Sequence, residues 1–107
     1  MKTLKFAEKL VSLVLSGEKD STWRLFDDKD LTEGDKLVLV NKKTGEEFAN
    51  ARIISIVETK LGELEDLDWE GHERYESEEK MYEEYRKYYG DKVGPNSVLK
   101  VIKFELI

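Results

Sequence analysis

The sequence has no cysteine, one proline and one histidine among its 107 residues. Without thiols there is no disulfide framework, no thiolate zinc site and no cysteine nucleophile. The lone His72 reads as part of a solvated acidic loop, which leaves little room for a histidine-based triad. Phosphate loops of the Gly-x-x-x-x-Gly-Lys type are missing, as are Gly-x-Gly-x-x-Gly and Gly-x-Ser-x-Gly. No apolar run approaches the ~18 residues of a membrane span, and no signal-peptide pattern opens the chain. The expectation is a cytoplasmic protein with no membrane partner, forming one domain over residues 1–107.

What is present in excess is acid: 24 Asp and Glu against 18 Lys and Arg, a net charge of −6. The excess is local. Residues 1–62 balance, residues 63–84 carry 11 acids against Arg74 and Lys80, and residues 85–107 are net positive. A polyanionic ligand is therefore not excluded; it would avoid residues 63–84. That segment has a second reading, as a protein-interaction module for a basic partner. Its carboxylates read as a solvated face rather than a metal site, and no metal or cofactor is expected.

Leu4, Ala7, Leu10, Val11, Val14 and Leu15 recur at three- and four-residue spacings, predicting a helix over about residues 4–16, capped by Thr3 and stopped by Gly17. Ser21 to Phe26 predicts a short strand, followed by a polar loop from Asp27 to Asp30. Lys36–Val40 and Phe48–Glu58 predict a hairpin turned by Asn41–Gly45. Leu61–Glu70 predicts a short acidic helical turn. Ser77 predicts the cap of a second helix with an aromatic stripe, Met81, Tyr82, Tyr85, Tyr88 and Tyr89, ended by Gly90. That stripe is expected to pack on the sheet. Val98, Ile102, Phe104 and Leu106 mark the final strand. The order predicts a small α+β domain, a sheet curled into a barrel with helices outside.

One stretch concentrates chemistry: Gly17-Glu18-Lys19-Asp20-Ser21-Thr22-Trp23-Arg24. Strand alternation puts Thr22 and Arg24 on one face and Trp23 on the other. A lysine beside a threonine hydroxyl is a workable base and nucleophile if burial lowers the amine's pKa. The same Lys19 and Arg24 could hold a phosphate or a carbonyl. The bland alternative is a polar loop whose lysine complements the helix dipole. Trp23 is either a stacking platform for a base or a core residue, and Trp69 reads as an anchor for the acidic segment.

The order of these features resembles the ASCH domain, a branch of the PUA-like superfamily. The resembling parts are the amphipathic N-terminal helix running into Gly-x-Lys-x-x-Thr-x-Arg at Gly17–Arg24, Gly34-Asp35 before a strand, Glu73 to Ser77 before the second helix, Tyr89, and the closing strand. The resemblance implies a PUA-like curled β-barrel with flanking helices and a cleft lined by Lys19, Ser21, Thr22, Trp23 and Arg24. It implies RNA or a nucleoside or nucleotide as ligand, rather than long DNA. It also implies an alternative activity, deacylation of N4-acetylcytidine-type nucleosides. In that activity Lys19 would activate Thr22 as nucleophile, and Glu73 would shuttle protons to the leaving amine. Asp20 follows Lys19, and a carboxylate there is expected to favour the charged ammonium. Oligomeric state is not legible.

Overall fold

Leu4 and Phe6 are buried while Lys5 between them is exposed, a two-residue period rather than a helical one. The computed structural model, which describes residues 1–26 and 29–107, places them in strand β1 (Lys2–Phe6). The expected helix is correspondingly shorter. Helix α1 spans Glu8–Ser16, with Ala7 rather than Thr3 at its N-cap and no side chain capping it. Its end is as expected: Gly17 takes φ 85°, the left-handed conformation that costs glycine least, and its N–H donates to the Val14 carbonyl.

Strand β2 follows (Ser21–Leu25), then β3 (Lys36–Asn41) and the long β4 (Glu47–Lys60). A 3-10 turn at Leu61–Glu63 leads to the short helix α2 (Asp66–Trp69). Helix α3 (Glu78–Tyr89) starts where Ser77 Oγ accepts the Lys80 N–H, and it stops at Gly90. Strand β5 (Val98–Leu106) ends the fold. Asp27 and Asp28, the start of the expected polar loop, lie outside the described residues.

The strands form one sheet in the order β1-β3-β4-β5-β2. β1 runs parallel to β3, and the other pairs are antiparallel. Register shifts at Leu39/Val40 and Ile53/Ser55 act as bulges and help the sheet curl into a half-barrel. β5 divides its side chains between two cores. Ile102 and Phe104 join Leu4, Phe6, Leu10 and Val14 on the α1 side. Leu99 and Val101 join Trp23, Met81 and Tyr85 on the α3 side. Full burial of each such side chain contributes roughly 1.5–3 kcal/mol. The architecture is α+β, with helices flanking a curled sheet. Among the described residues no helix is long and apolar enough to cross a membrane.

Candidate functional site

β1 and β2 are the two outer strands of the sheet, and curling brings them together. Arg24 spans the seam: its Nη2 donates to the Lys5 carbonyl at 2.9 Å, and its guanidinium lies 4.9 Å from the Phe6 ring centre. Its Nε donates to Thr22 Oγ1 at 3.1 Å, so Thr22 and Arg24 share a face as strand alternation requires.

Lys19 enters the same region from the turn after α1. Its N–H donates to the Leu13 carbonyl, and its side chain is 2% exposed. The ammonium donates to the Ser21 carbonyl at 2.7 Å and forms a short ion pair with Glu73 Oε1. Burial pulls the Lys19 pKa below its ordinary value, against the opposing pull of Glu73. Asp20, expected to hold the ammonium charged, acts in that direction but more weakly than Glu73. For Glu73, burial pushes the carboxyl up, but the charge of Lys19 and the neighbouring His72 together hold it below its usual value.

Glu73 reaches Lys19 because Gly71 fastens its loop to the start of β2. The Gly71 carbonyl accepts the N–H groups of both Asp20 and Ser21, at 3.0 and 3.1 Å, and Gly71 itself sits at φ 73°. His72 then turns inward, and the expectation of a solvated loop is wrong at this residue. The imidazole is 7% exposed and stacks on Trp23, with ring centres 3.7 Å apart and planes 12° apart. Nδ1 lies 2.8 Å from the Glu73 carbonyl oxygen, and Tyr85 OH lies 3.3 Å from Nε2. The neutral tautomer with Nδ1–H donating and Nε2 accepting satisfies both contacts. Burial first, and the Lys19 charge second, lower its pKa to about 4. Apart from Glu73, this stretch of the acidic segment thus turns its carboxylates outward and its aromatic residues inward. Trp69, His72 and Tyr75, three residues apart within acidic sequence, were the signal that could have shown this.

Lys19, Thr22, Arg24 and Glu73 all line one cavity of about 350 Å³. The sequence-predicted residues do not all contribute in the same way. Among the described residues Lys19 makes no hydrogen bond to Thr22. Ser21 does not line the cavity; it offers Lys19 its carbonyl, while its buried hydroxyl is unpartnered. Trp23 touches the cavity, but its ring is occupied by His72 and by Trp69, and its Nε1 donates to the Asp68 carbonyl. Trp69 anchors the acidic segment as expected.

Sequence reasoning missed part of the wall. Lys5, Lys29 and Lys42 line the cavity together with Lys19 and Arg24, against Glu73 as the one carboxylate among the described residues. Tyr85, Tyr88 and Tyr89 supply the aromatic side. The aromatic stripe therefore both packs and lines: Tyr85 is buried, and Tyr88 is 37% exposed with its pKa raised to about 12, chiefly by burial. Its phenol stays protonated and donates to Glu84 Oε1 at 3.1 Å, leaving the oxygen able to accept. No three His, Asp or Glu side chains cluster as metal ligands among the described residues.

No family model matches the sequence, and no curated protein matches it. Solved structures do match. The protein PH0355 superposes with a TM-score of 0.76 at 23% identity, over 100% of both chains. An ASCH domain from Lactobacillus crispatus JV V101 gives 0.69 at 17% identity, covering 98% of this chain and 79% of that one. ASCH from Zymomonas mobilis gives 0.69 at 12% identity, covering 96% of this chain and 65% of that one.

Proposed function

We propose that this chain, which shares its fold with solved ASCH domains, binds a nucleoside, a nucleotide or a short RNA end in the cavity between β1, β2 and α3. The observation that carries this reading is the composition of the wall, which among the described residues has five cationic side chains and three tyrosines around one carboxylate. Cations suit phosphate or carbonyl oxygens, and aromatic faces and phenols suit a heterocyclic base. A volume of about 350 Å³ lies at the small end of the roughly 300–1,000 Å³ range of ligand pockets, which favours a unit of nucleoside size. Calorimetric titration with ribonucleosides, nucleotides and short RNA tests the reading, with Lys19→Met and Tyr89→Leu as variants checked for folding. Binding that both variants retain unchanged would place the site elsewhere.

A second reading rests on the contact between Arg24 and Thr22. A guanidinium donating to a hydroxyl oxygen stabilises negative charge developing there and leaves the hydroxyl proton free to depart. In an amidohydrolase of acylated nucleosides, Thr22 Oγ1 would attack the acyl carbonyl. Lys19 in its amine form would take the hydroxyl proton through a bridging water, and Glu73 would pass a proton to the leaving amine. Water would then cleave the threonyl ester. Conversion of N4-acetylcytidine to cytidine and acetate is the assay. Thr22→Ala should abolish it and Thr22→Ser should retain part; equal rates for both variants would remove this reading.

A further inference from the structure

Most lysines with a described ion pair meet a carboxylate on the surface: Lys2 with Asp35, Lys9 with Glu84, Lys43 with Glu8, Lys80 with Glu83. Two of the cavity lysines do not. Lys5 and Lys42 form no ion pair among the described residues, although acids outnumber bases in this chain. Both are exposed, and both belong to the cavity wall. Lys5 stands at the end of β1, where its carbonyl takes the Arg24 hydrogen bond. Lys42 stands on the β3–β4 turn, pinned there because its N–H donates to the Phe6 carbonyl at 2.8 Å. Its ammonium lies 5.4 Å from the Tyr88 ring centre. The buried end of the cavity differs, since there Lys19 is already neutralised by Glu73. Among the described residues, positive charge without an ion-pair partner thus sits at the exposed end of the cavity, beside an aromatic ring whose phenol donates to Glu84 at 3.1 Å.

Resting on the nucleoside-binding reading above, we propose that Lys5 and Lys42 form a phosphate subsite at the cavity mouth, and that the ligand is a nucleoside 5′-monophosphate rather than a neutral nucleoside. The heterocycle enters toward Lys19, Glu73 and the tyrosines, and the phosphate stays at the rim, partly hydrated. Lysines suit a hydrated phosphate because they meet it as mobile point charges and need no fixed fork geometry. The interaction is exposed, so salt should weaken it.

Calorimetry decides among the outcomes, using the four common ribonucleosides, their 5′-monophosphates and inorganic phosphate. The expected result is a monophosphate binding about tenfold more tightly than its nucleoside at low salt, an advantage that shrinks as salt is raised. The double variant Lys5→Gln/Lys42→Gln should lose most of that advantage, its affinity for the monophosphate falling much further than its affinity for the nucleoside. Lys60→Gln, at an exposed position outside the cavity, should change nothing. Equal affinity for nucleoside and monophosphate would overturn the phosphate subsite and leave nucleoside binding standing. A monophosphate advantage that survives in the double variant would overturn the assignment to these lysines. Inorganic phosphate binding as tightly as the nucleotide would overturn the nucleotide as ligand. Failure of nucleosides and monophosphates alike to bind would overturn both readings.

Discussion

Arg24 on β2 donates from Nη2 to the carbonyl of Lys5 on β1, tying together the two strands that have no neighbour in the sheet ladder on that side. The same guanidinium holds Thr22, so one side chain both closes the barrel seam and shapes the cavity floor. Arg24→Met should keep the stem over Phe6 and lose both hydrogen bonds. With charged donors involved, a loss of about 2 kcal/mol is expected. Arg24→Lys should recover less than half, because one ammonium cannot reproduce the fork. Urea unfolding gives the energies. Amide exchange should quicken in β1 and β2 and not in the β4–β5 pair; uniform quickening would contradict the seam assignment.

The Lys19–Glu73 pair is asymmetric in its surroundings: the Lys19 side chain is 2% exposed and that of Glu73 is 20% exposed. Glu73→Ala strands a buried ammonium with only the Ser21 carbonyl as acceptor and should cost about 3–5 kcal/mol. Lys19→Met leaves a carboxylate that water can reach and should cost less. The double variant should be more stable than the sum of the single losses implies. A denaturation cycle in which Lys19→Met is the costlier change, or in which the two losses add, contradicts this account.

What the sequence made legible was local. Thr22 and Arg24 alternate with Trp23, and the structure keeps the alternation; Ser77 and Gly90 bound α3 as their chemistry demands. β1 was hidden because Leu4 fits two periods. It lies two residues from Phe6 and three from Ala7, so strand and helix patterns overlap there. Parallel pairing with β3, some 35 residues away, decides between them. His72 was hidden for a similar reason. Its environment is made by Trp23 and Tyr85, 49 and 13 residues distant, and the one local hint of a buried ring is its three-residue spacing from Trp69 and Tyr75. The approach of Glu73 to Lys19 spans 54 residues, and it was read only from the family resemblance, not from periodicity.

Gly71 carries a prediction of its own, since its carbonyl joins the His72–Glu73 loop to the start of β2. At φ 73° an alanine is strained by roughly 1–2 kcal/mol. A Cβ there would also sit 1.7 Å from Asp20 Oδ1, the end of an exposed side chain that must swing away. Gly71→Ala should therefore destabilise by about 2 kcal/mol. Adding Asp20→Ala should remove the collision and leave the strain. Thermal unfolding of the single and double variants measures the two parts; no recovery in the double variant would show that the collision is not a cost.

The buried His72 sets a pH dependence whose sign is fixed by its lowered pKa. In the unfolded chain the imidazole takes a proton near pH 6.5, whereas in the folded protein it does so only at about 4. As pH falls below 6.5 the unfolded state gains protons that the folded state refuses. Stability present above 6.5 is therefore lost progressively down to about 4, by roughly 3 kcal/mol in all. Glu73, whose folded value is lowered, adds its own loss as pH falls through that value, so this contribution belongs to the acid end of the range. His72→Phe preserves a ring to stack on Trp23 but loses the contacts to Tyr85 and the Glu73 carbonyl. It should be less stable near neutrality, yet nearly flat from about pH 7.5 to about pH 4.5, where the unmodified protein declines. Urea midpoints across that interval provide the comparison. Parallel curves for the two proteins would mean that the imidazole accepts its proton as readily folded as unfolded, which its burial against Trp23 and beside Lys19 forbids.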